Sequence, residues 1–175
     1  MCLGILYVSE TYYCLSEMQI RHIERIEEGY LRQILKTTKG CPIVQMYLEV
    51  GLVPARFEIQ RSRLLWLKTI LEQNKNSMLY KFFYLQKENP IRGDWFSTCI
   101  SDMKMFKLDL SLEEIKVMKK SKFSKLISES INQCALNYLR GKQGNKGSDI
   151  TYKVIQMADY LLPDNNLSID DKRNI

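Results

Sequence analysis

The chain has 175 residues, of which 45% are apolar and 26% charged, with eight glycines and four prolines. This composition is typical of a folded domain and argues against an extended disordered chain. Its five scattered cysteines include no Cys-x-x-Cys pair and His22 is the single histidine, which argues against a disulfide framework or a structural zinc site.

The first ten residues argue against export. They contain no basic segment, and their apolar run ends at Val8, before Ser9-Glu10. Such a run is too short for a signal peptide or a membrane span. We therefore expect an intracellular protein, nuclear or cytoplasmic, with no membrane partner.

Helix-start signals recur along the first half, each followed by apolar residues at helical spacing. Ser16-Glu17-Met18-Gln19 is a capping box, in which the Ser16 hydroxyl and the Gln19 side chain each satisfy a free backbone N–H. It predicts a helix over about 17–36. Three further helices are predicted: one with Pro42 at its first position and ending before Gly51, one from Pro54 to about Gln73, and one from the Asn76-Ser77 cap to Pro90.

The second half continues in the same way. Asp94 caps one predicted helix, and a second capping box at Ser111-Leu-Glu-Glu114 begins another. A long helix then runs through Phe123 and Tyr138 into the segment 141–147, and a last one covers about 150–162. The pattern predicts an all-α fold, an irregular array of about seven to nine helices.

The tripeptide Arg92-Gly93-Asp94 has the sequence of a cell-adhesion ligand, but its surroundings predict a turn. Pro90 and Gly93 interrupt the preceding helix, Asp94 is a favourable N-cap, and Trp95 begins the next apolar segment. We interpret these four residues as a structural turn and expect no integrin partner.

Both ends of the chain suggest a portion of a larger protein. Ser168-Ile-Asp-Asp171 is a third capping box, yet only four residues follow it. Residues 3–13 are largely apolar and aromatic, without a polar lead-in. We expect residues 3–13 and those after Pro163 to be exposed or poorly packed.

Positive charge is concentrated late in the chain. The net charge is +6, and residues 116–146 hold eight basic residues against one acidic residue, Glu129. Such a block favours a polyanion partner, although a solvated helix face gives the same pattern. The loop 139–149 adds three glycines but lacks the Gly-Lys-Ser/Thr ending of a nucleotide-binding loop, so a flexible basic linker is the alternative.

Basic residues also interrupt the apolar face of the helix predicted from Pro54. On a helical wheel Arg56 and Arg63 fall inside the apolar arc, with Arg61 and Lys68 on its margin. A guanidinium in such a face is either paired within the protein, for example with Glu49, or lies at a contact with another molecule. Both alternatives stay open, the second being a phosphate contact.

Catalytic signals are weak. His22 lies among charged residues, and no serine or cysteine is spaced from it in a way that would indicate a nucleophile–base pair. The adjacent carboxylates Asp170-Asp171 lie at the end of the chain. We expect no enzymatic activity from this chain.

Five segments resemble, in this order, the C-terminal region of reverse transcriptases from non-LTR (LINE-like) retrotransposons. The similarity covers nearly the whole chain, although none of its motifs is a catalytic signature. The segments are ILYVSETYYCLS (5–16), IERIEEGYLRQILKT (23–37), PIVQMYLEVGLVPARFEIQRSRLLWLKTIL (42–71), LQKENPIRGDW (85–95) and YLRGKQGNKGSDITYKVIQMADYLLP (138–163).

The resemblance implies a thumb-like helical region over 1–110, following a polymerase domain that this sequence lacks, and a basic post-polymerase segment over 111–175. The catalytic Asp-Asp turn would lie upstream, so the chain alone needs no cofactor, whereas the parent RNA-directed DNA polymerase would need Mg²⁺. Sequence-nonspecific binding of RNA or DNA phosphates is expected. The candidate residues are Arg56, Arg61, Arg63, Lys68, Lys119, Lys120, Lys122, Arg140, Lys142 and Lys146.

Two other interpretations stay open. In the first, the chain is a helical protein-interaction module whose aromatic residues Trp66, Phe82, Phe83 and Trp95 pack against a partner. In the second, it is a truncated retroelement copy without a function of its own.

Overall fold

The computed structural model describes residues 9–11, 15–38 and 40–143, and its regular structure is entirely helical. This confirms the predicted all-α class, and the described ranges contain no strand. A 3-10 turn at Ser9–Thr11 precedes seven α-helices. They are α1 (Glu17–Leu35), α2 (Ile43–Val50), α3 (Ala55–Leu71), α4 (Met78–Glu88), α5 (Trp95–Met105), α6 (Leu112–Val117) and α7 (Lys120–Gln143).

Helix starts follow the local sequence closely. The two predicted capping boxes that fall in the described residues are both present, at Ser16 on α1 and at Ser111 on α6. The Ser77 hydroxyl accepts a hydrogen bond from the N–H of Tyr80 at the start of α4. Pro42 precedes the first residue of α2 and so occupies the cap position, one residue earlier than predicted. Local chemistry therefore sets most helix boundaries in this chain.

The turn before α5 is built by Asp94. Its carboxylate accepts hydrogen bonds from the N–H of Ser97, at 2.6 Å, and from the N–H of Ile91, at 2.8 Å. Gly93 has a φ of 87°, in the left-handed region that favours glycine. These contacts close the turn and place Trp95 in the first turn of α5.

The helix α3 is the centre of the molecule. It contacts the 3-10 turn, α1 and α4 through α7. Most of its length lies in a large hydrophobic cluster to which Leu67, Phe83, Met103, Ile115 and Ile127 belong. This cluster draws on helices from both sides of residue 110, so the two predicted parts of the chain share one core.

A smaller hydrophobic cluster joins α1, α2 and the end of α7. It contains Leu31 of α1 and Leu139 of α7, together with the buried side of α2. Beside it the buried Glu27 carboxylate accepts hydrogen bonds from the Tyr47 hydroxyl, at 2.7 Å, and from the N–H of Ala55, at 2.9 Å. Glu27 thereby ties the start of α3 to α1 and α2.

Some of the predicted features fall outside the described residues: the helix over 150–162, the capping box at 168–171 and most of the segment 3–13. Within that segment Ser9 is buried and Thr11 is exposed, so the predicted exposure is wrong at Ser9. Ser9 is buried because the 3-10 turn packs against α3.

Candidate nucleic-acid interface

Arg63, predicted to contact either a phosphate or a protein carboxylate, is buried against Asp102. The two side chains are 5% and 6% exposed, and an Arg63 guanidinium nitrogen lies 2.5 Å from the Asp102 carboxylate. Gln60 donates a further hydrogen bond to Asp102 at 3.1 Å. Burial raises the pKa of Asp102, although Arg63 and Gln60 act in the opposite direction. Arg63 is therefore paired within the protein, and its partner is Asp102 and not Glu49.

Arg56 also has partners within the protein. Its Nε lies 2.6 Å from the buried Glu24 carboxylate, and its Nη2 lies 3.0 Å from that of Glu17. The guanidinium carbon is 4.4 Å from the centroid of the Tyr138 ring, a cation–π contact. Burial disfavours the Arg56 charge, but the hydrogen bonds to Glu24 and Glu17 outweigh it and raise its pKa. This network joins α1, α3 and α7.

Lys68 and Arg61, the other predicted residues on α3, differ in exposure. The Lys68 side chain is 1% exposed; its ammonium donates to the Lys116 carbonyl at 3.0 Å and pairs with Glu72 at 2.8 Å. Arg61 pairs with Glu58 at 3.4 Å and its side chain is 37% exposed. Of the four basic residues predicted on α3, Arg61 is thus the most exposed.

The predicted residues near the end of α7 differ in their surroundings. Lys142 lies 3.6 Å from the Glu24 carboxylate and 3.8 Å from that of Glu28, over the ring of Tyr138. Partial burial disfavours its charge, but a hydrogen bond with Tyr138 and the nearby Glu24 raise its pKa. Arg140 is exposed, whereas Lys146 lies outside the described residues.

The predicted residues at the start of α7 are all exposed. Lys119 precedes the helix, and Lys120 and Lys122 lie in its first turn, which contains no acidic residue. Lys125 follows one turn later and pairs loosely with Glu129, at 3.7 Å. Since a helix N-terminus carries a partial positive charge, these lysines add like charge to the positive end of a 24-residue helix. An anion bound there would be stabilised by both.

Two tyrosines lie close to this basic segment. The rings of Tyr80 and Tyr84 on α4 are stacked, with centroids 4.4 Å apart and an interplanar angle of 26°. The Lys87 ammonium is 5.1 Å from the Tyr84 centroid, and that of Lys116, from the last turn of α6, is 6.0 Å from the Tyr80 centroid. Each of the stacked rings therefore has one ammonium group close to it, Lys87 of α4 at Tyr84 and Lys116 of α6 at Tyr80.

An apolar groove lies on the other side of α4. Its volume is about 470 Å³, and its lining includes Trp66, Leu79, Phe82 and Trp95. Phe82 is 59% exposed at its edge. The groove is therefore an aromatic surface that an apolar side chain of another protein would fit.

The described residues contain neither a membrane span nor a metal site. No helix in that part of the chain combines the length and the apolar character needed to cross a bilayer. Nor do three or more histidine, cysteine or carboxylate side chains come together there as a metal site would require.

Residues of two kinds contribute to these sites without having been predicted from the sequence. Asp102 and Glu24, the partners of the buried arginines, carry no sequence signal, because α5 and α1 are distant from α3 along the chain. Tyr80, Tyr84 and Lys87 have the i, i+4, i+7 spacing of one helix face, and this signal was available in the sequence.

Comparison of the chain with protein families, curated proteins and solved structures found no match.

Proposed function

We propose that this chain is a noncatalytic, nucleic-acid-binding helical portion of a non-LTR retrotransposon reverse transcriptase. In this proposal it holds the template–primer or the element's RNA through phosphate contacts, behind a polymerase domain supplied elsewhere. The family assignment rests on the five sequence segments that resemble such proteins.

The observation that carries the binding proposal is the exposed lysine cluster at the start of α7: Lys119, Lys120 and Lys122. Lysines at a helix N-terminus oppose the helix dipole, at about 0.3–1 kcal/mol each. Lysines placed where they slightly reduce the stability of the protein are more readily explained by binding of an anionic ligand than by solubility alone. A phosphate backbone would neutralise both the lysines and the positive helix end.

Contacts of this kind position a nucleic acid without reading its sequence. The exposed Arg140 adds positive charge on α7, and Arg61 on α3 is 37% exposed but is partly neutralised by Glu58 at 3.4 Å. The proposed surface excludes the buried Arg63 and Lys68 and the paired Arg56 and Lys142. Carboxylates already neutralise these four side chains.

The test is the salt dependence of binding. The triple variant Lys119→Gln/Lys120→Gln/Lys122→Gln should weaken binding of single-stranded RNA. Its log–log salt slope should be flatter by about 2, since each neutralised phosphate of a single strand accounts for about 0.7. Unrelated sequences should be affected alike. The variant should unfold at the same temperature as the wild type or higher, because like charge is removed from the helix N-terminus.

A matched control removes equal charge elsewhere, as Arg25→Gln/Lys75→Gln/Arg92→Gln, three exposed residues of which one is on α1 and two are in turns. It should leave the slope nearly unchanged. Equal effects of the two triple variants would reduce the proposal to nonspecific attraction by net charge. Absence of binding to RNA and DNA at low salt would overturn it.

The apolar groove favours a second candidate function, a protein-interaction module. Phe82 and Met78, 59% and 82% exposed, extend the groove onto the surface of α4. Exposed apolar patches mark interaction sites more often than isolated apolar residues do. An interaction through this surface would depend little on salt and would be abolished in Phe82→Ser, whereas phosphate binding would not change.

A further inference from the structure

We propose that Tyr84, supported by Tyr80 and flanked by Lys87 and Lys116, is a stacking site for an unpaired base, so that the ligand is a single strand or a single-stranded end. This inference rests on the proposed nucleic-acid binding and deepens it. Phosphate contacts alone do not distinguish a single strand from a duplex, whereas an aromatic stacking site does.

The two tyrosines form a stacked pair on α4. Tyr80 is buried, 7% exposed, and its ring stacks on that of the partly exposed Tyr84. The ring of Phe83 also packs against Tyr84, at 80° to it with centroids 5.6 Å apart. Tyr84 is therefore a partly exposed ring supported by two aromatic neighbours. Unstacked bases bind to rings of this kind in single-strand-binding proteins.

Two lysine ammonium groups lie close to this tyrosine pair. Lys87 lies over Tyr84 and Lys116 over Tyr80, at 5.1 and 6.0 Å from the ring centroids. Because Tyr80 covers one face of the Tyr84 ring, Lys87 lies over the other face, and a base stacking there would displace its exposed ammonium group towards the adjoining phosphate. The Lys116 backbone is itself held in place, since its carbonyl accepts a hydrogen bond from the buried Lys68.

The tyrosine pair lies close to the proposed phosphate surface. Lys119 and Lys120 follow Lys116 by three and four residues. Because consecutive Cα atoms are about 3.8 Å apart, Lys120 lies within about 15 Å of Lys116. One strand can thus contact both features. The opposite side of α4, where Phe82 lies, has exposed aromatic surface but no comparable lysine pair at its rings in the described part of the chain.

The experiment compares two substitutions in the full chain. Tyr84→Leu keeps an apolar side chain against Tyr80 but removes the π-face, and Tyr84→Phe keeps the ring. Binding is measured by fluorescence anisotropy with a labelled oligouridylate of about 12 nucleotides and with an RNA duplex of the same length. Phe82→Leu is the control, because it removes an exposed ring from the same helix on the side away from the lysines.

We expect Tyr84→Leu to weaken binding of the single strand by roughly 5- to 150-fold, the range of one base–aromatic stack. Duplex binding and the salt slope should stay at wild-type values, and Tyr84→Phe and Phe82→Leu should bind as the wild type does. Fluorescence of a 2-aminopurine placed in the strand should be quenched by the wild type and by Tyr84→Phe, and not by Tyr84→Leu.

The outcomes separate the two proposals. If Tyr84→Leu binds the single strand as the wild type does while the triple lysine variant binds weakly, the stacking site is overturned and phosphate binding stands. An equal loss for single strand and duplex would also overturn it, since that result would indicate a structural role for Tyr84. If the wild type binds neither probe at low salt, both proposals fail.

Discussion

At the scale of single residues, basic side chains are buried where a partner of opposite charge lies beside them. Arg63 and Asp102 form one pair, and Arg56 and Glu24 another. Each charge taken out of water requires such compensation, because an unpaired buried charge costs several kcal/mol. These pairs connect helices that are far apart in the sequence, and so their integrity is a property of the tertiary structure.

Replacing Arg63 by methionine should destabilise the protein by about 3–5 kcal/mol, because Asp102 would be left buried without its cation. The double variant Arg63→Met/Asp102→Leu should recover most of that stability, since it removes both charges. Urea unfolding measures both. If the single variant is destabilised by less than about 1 kcal/mol, the pair is not as well buried as described.

Glu27 should make stability depend on pH. Its pKa is raised above the ordinary value of 4.5 mainly by burial, although the hydrogen bonds from Tyr47 and Ala55 act against this. The folded state therefore binds this proton more tightly than the unfolded state does. The stability contributed by protonated Glu27 is complete below the ordinary pKa and is lost as the pH rises through the raised one.

The variant Glu27→Gln isolates this effect. Both hydrogen bonds reach the same carboxylate oxygen, so the amide oxygen can accept both of them. As the pH rises from about 4.5, the wild type should lose free energy of unfolding relative to Glu27→Gln. Urea midpoints measured from acid to neutral pH give the comparison. Parallel curves for the two proteins would show that the Glu27 pKa is not raised.

Among the helices, boundaries follow local chemistry whereas buried faces follow packing. Ser16, Ser77 and Ser111 each cap the helix that the sequence predicts. The face that a helix buries is less predictable for α3, because Arg63 and Lys68 lie on its buried side. Polar residues in an apolar face are compatible with burial only when neighbouring helices supply their partners.

The Asp94 cap provides a test of this local control. Asp94→Ala should cost about 0.5–2 kcal/mol, because the N–H groups of Ser97 and Ile91 would have no acceptor. Asp94→Asn keeps one acceptor oxygen for the N–H of Ser97 but turns its amide nitrogen towards the N–H of Ile91, which the second carboxylate oxygen accepts in the wild type, so it should cost less than Asp94→Ala. Thermal unfolding followed by circular dichroism compares the two. Equal destabilisation in both variants would mean that the hydrogen bond to Ser97 contributes no stability.

Across the molecule as a whole, α7 connects the two hydrophobic clusters. Phe123, Ile127 and Ile131 belong to the large cluster, and Leu139 belongs to the small one. A helix continuous through both clusters favours a single cooperative unfolding transition. The network of Glu24, Arg56 and Lys142 strengthens the same connection.

Leu31→Ala tests this cooperativity. Leu31 is 0% exposed in the small cluster, and its truncation should cost about 2–5 kcal/mol. Trp66 and Trp95 pack against the large cluster, so their fluorescence reports on a different part of the molecule. In a cooperative protein the fluorescence and circular dichroism midpoints fall together. A fluorescence midpoint that does not move would mean that the clusters unfold separately.

The all-α class, the capping boxes at Ser16 and Ser111 and the Asp94 turn could all be predicted from the amino-acid sequence. They depend on helical periodicity and on contacts over three or four residues, both of which can be read along the chain. The exposed lysines at the start of α7 were also predicted from local charge. Their role in binding stays a prediction.

Which basic residues are available to a ligand depends instead on how the helices pack. Arg63 and Lys68 lie on the same helix as Arg61, yet they are buried because α5 supplies Asp102 and α6 supplies the Lys116 carbonyl. The position of Tyr84 beside Lys87 and Lys116 likewise depends on how α4 meets α6. Pairing between helices requires proximity in three dimensions, and residues 39 or 48 positions apart in a sequence show no local pattern that would reveal it.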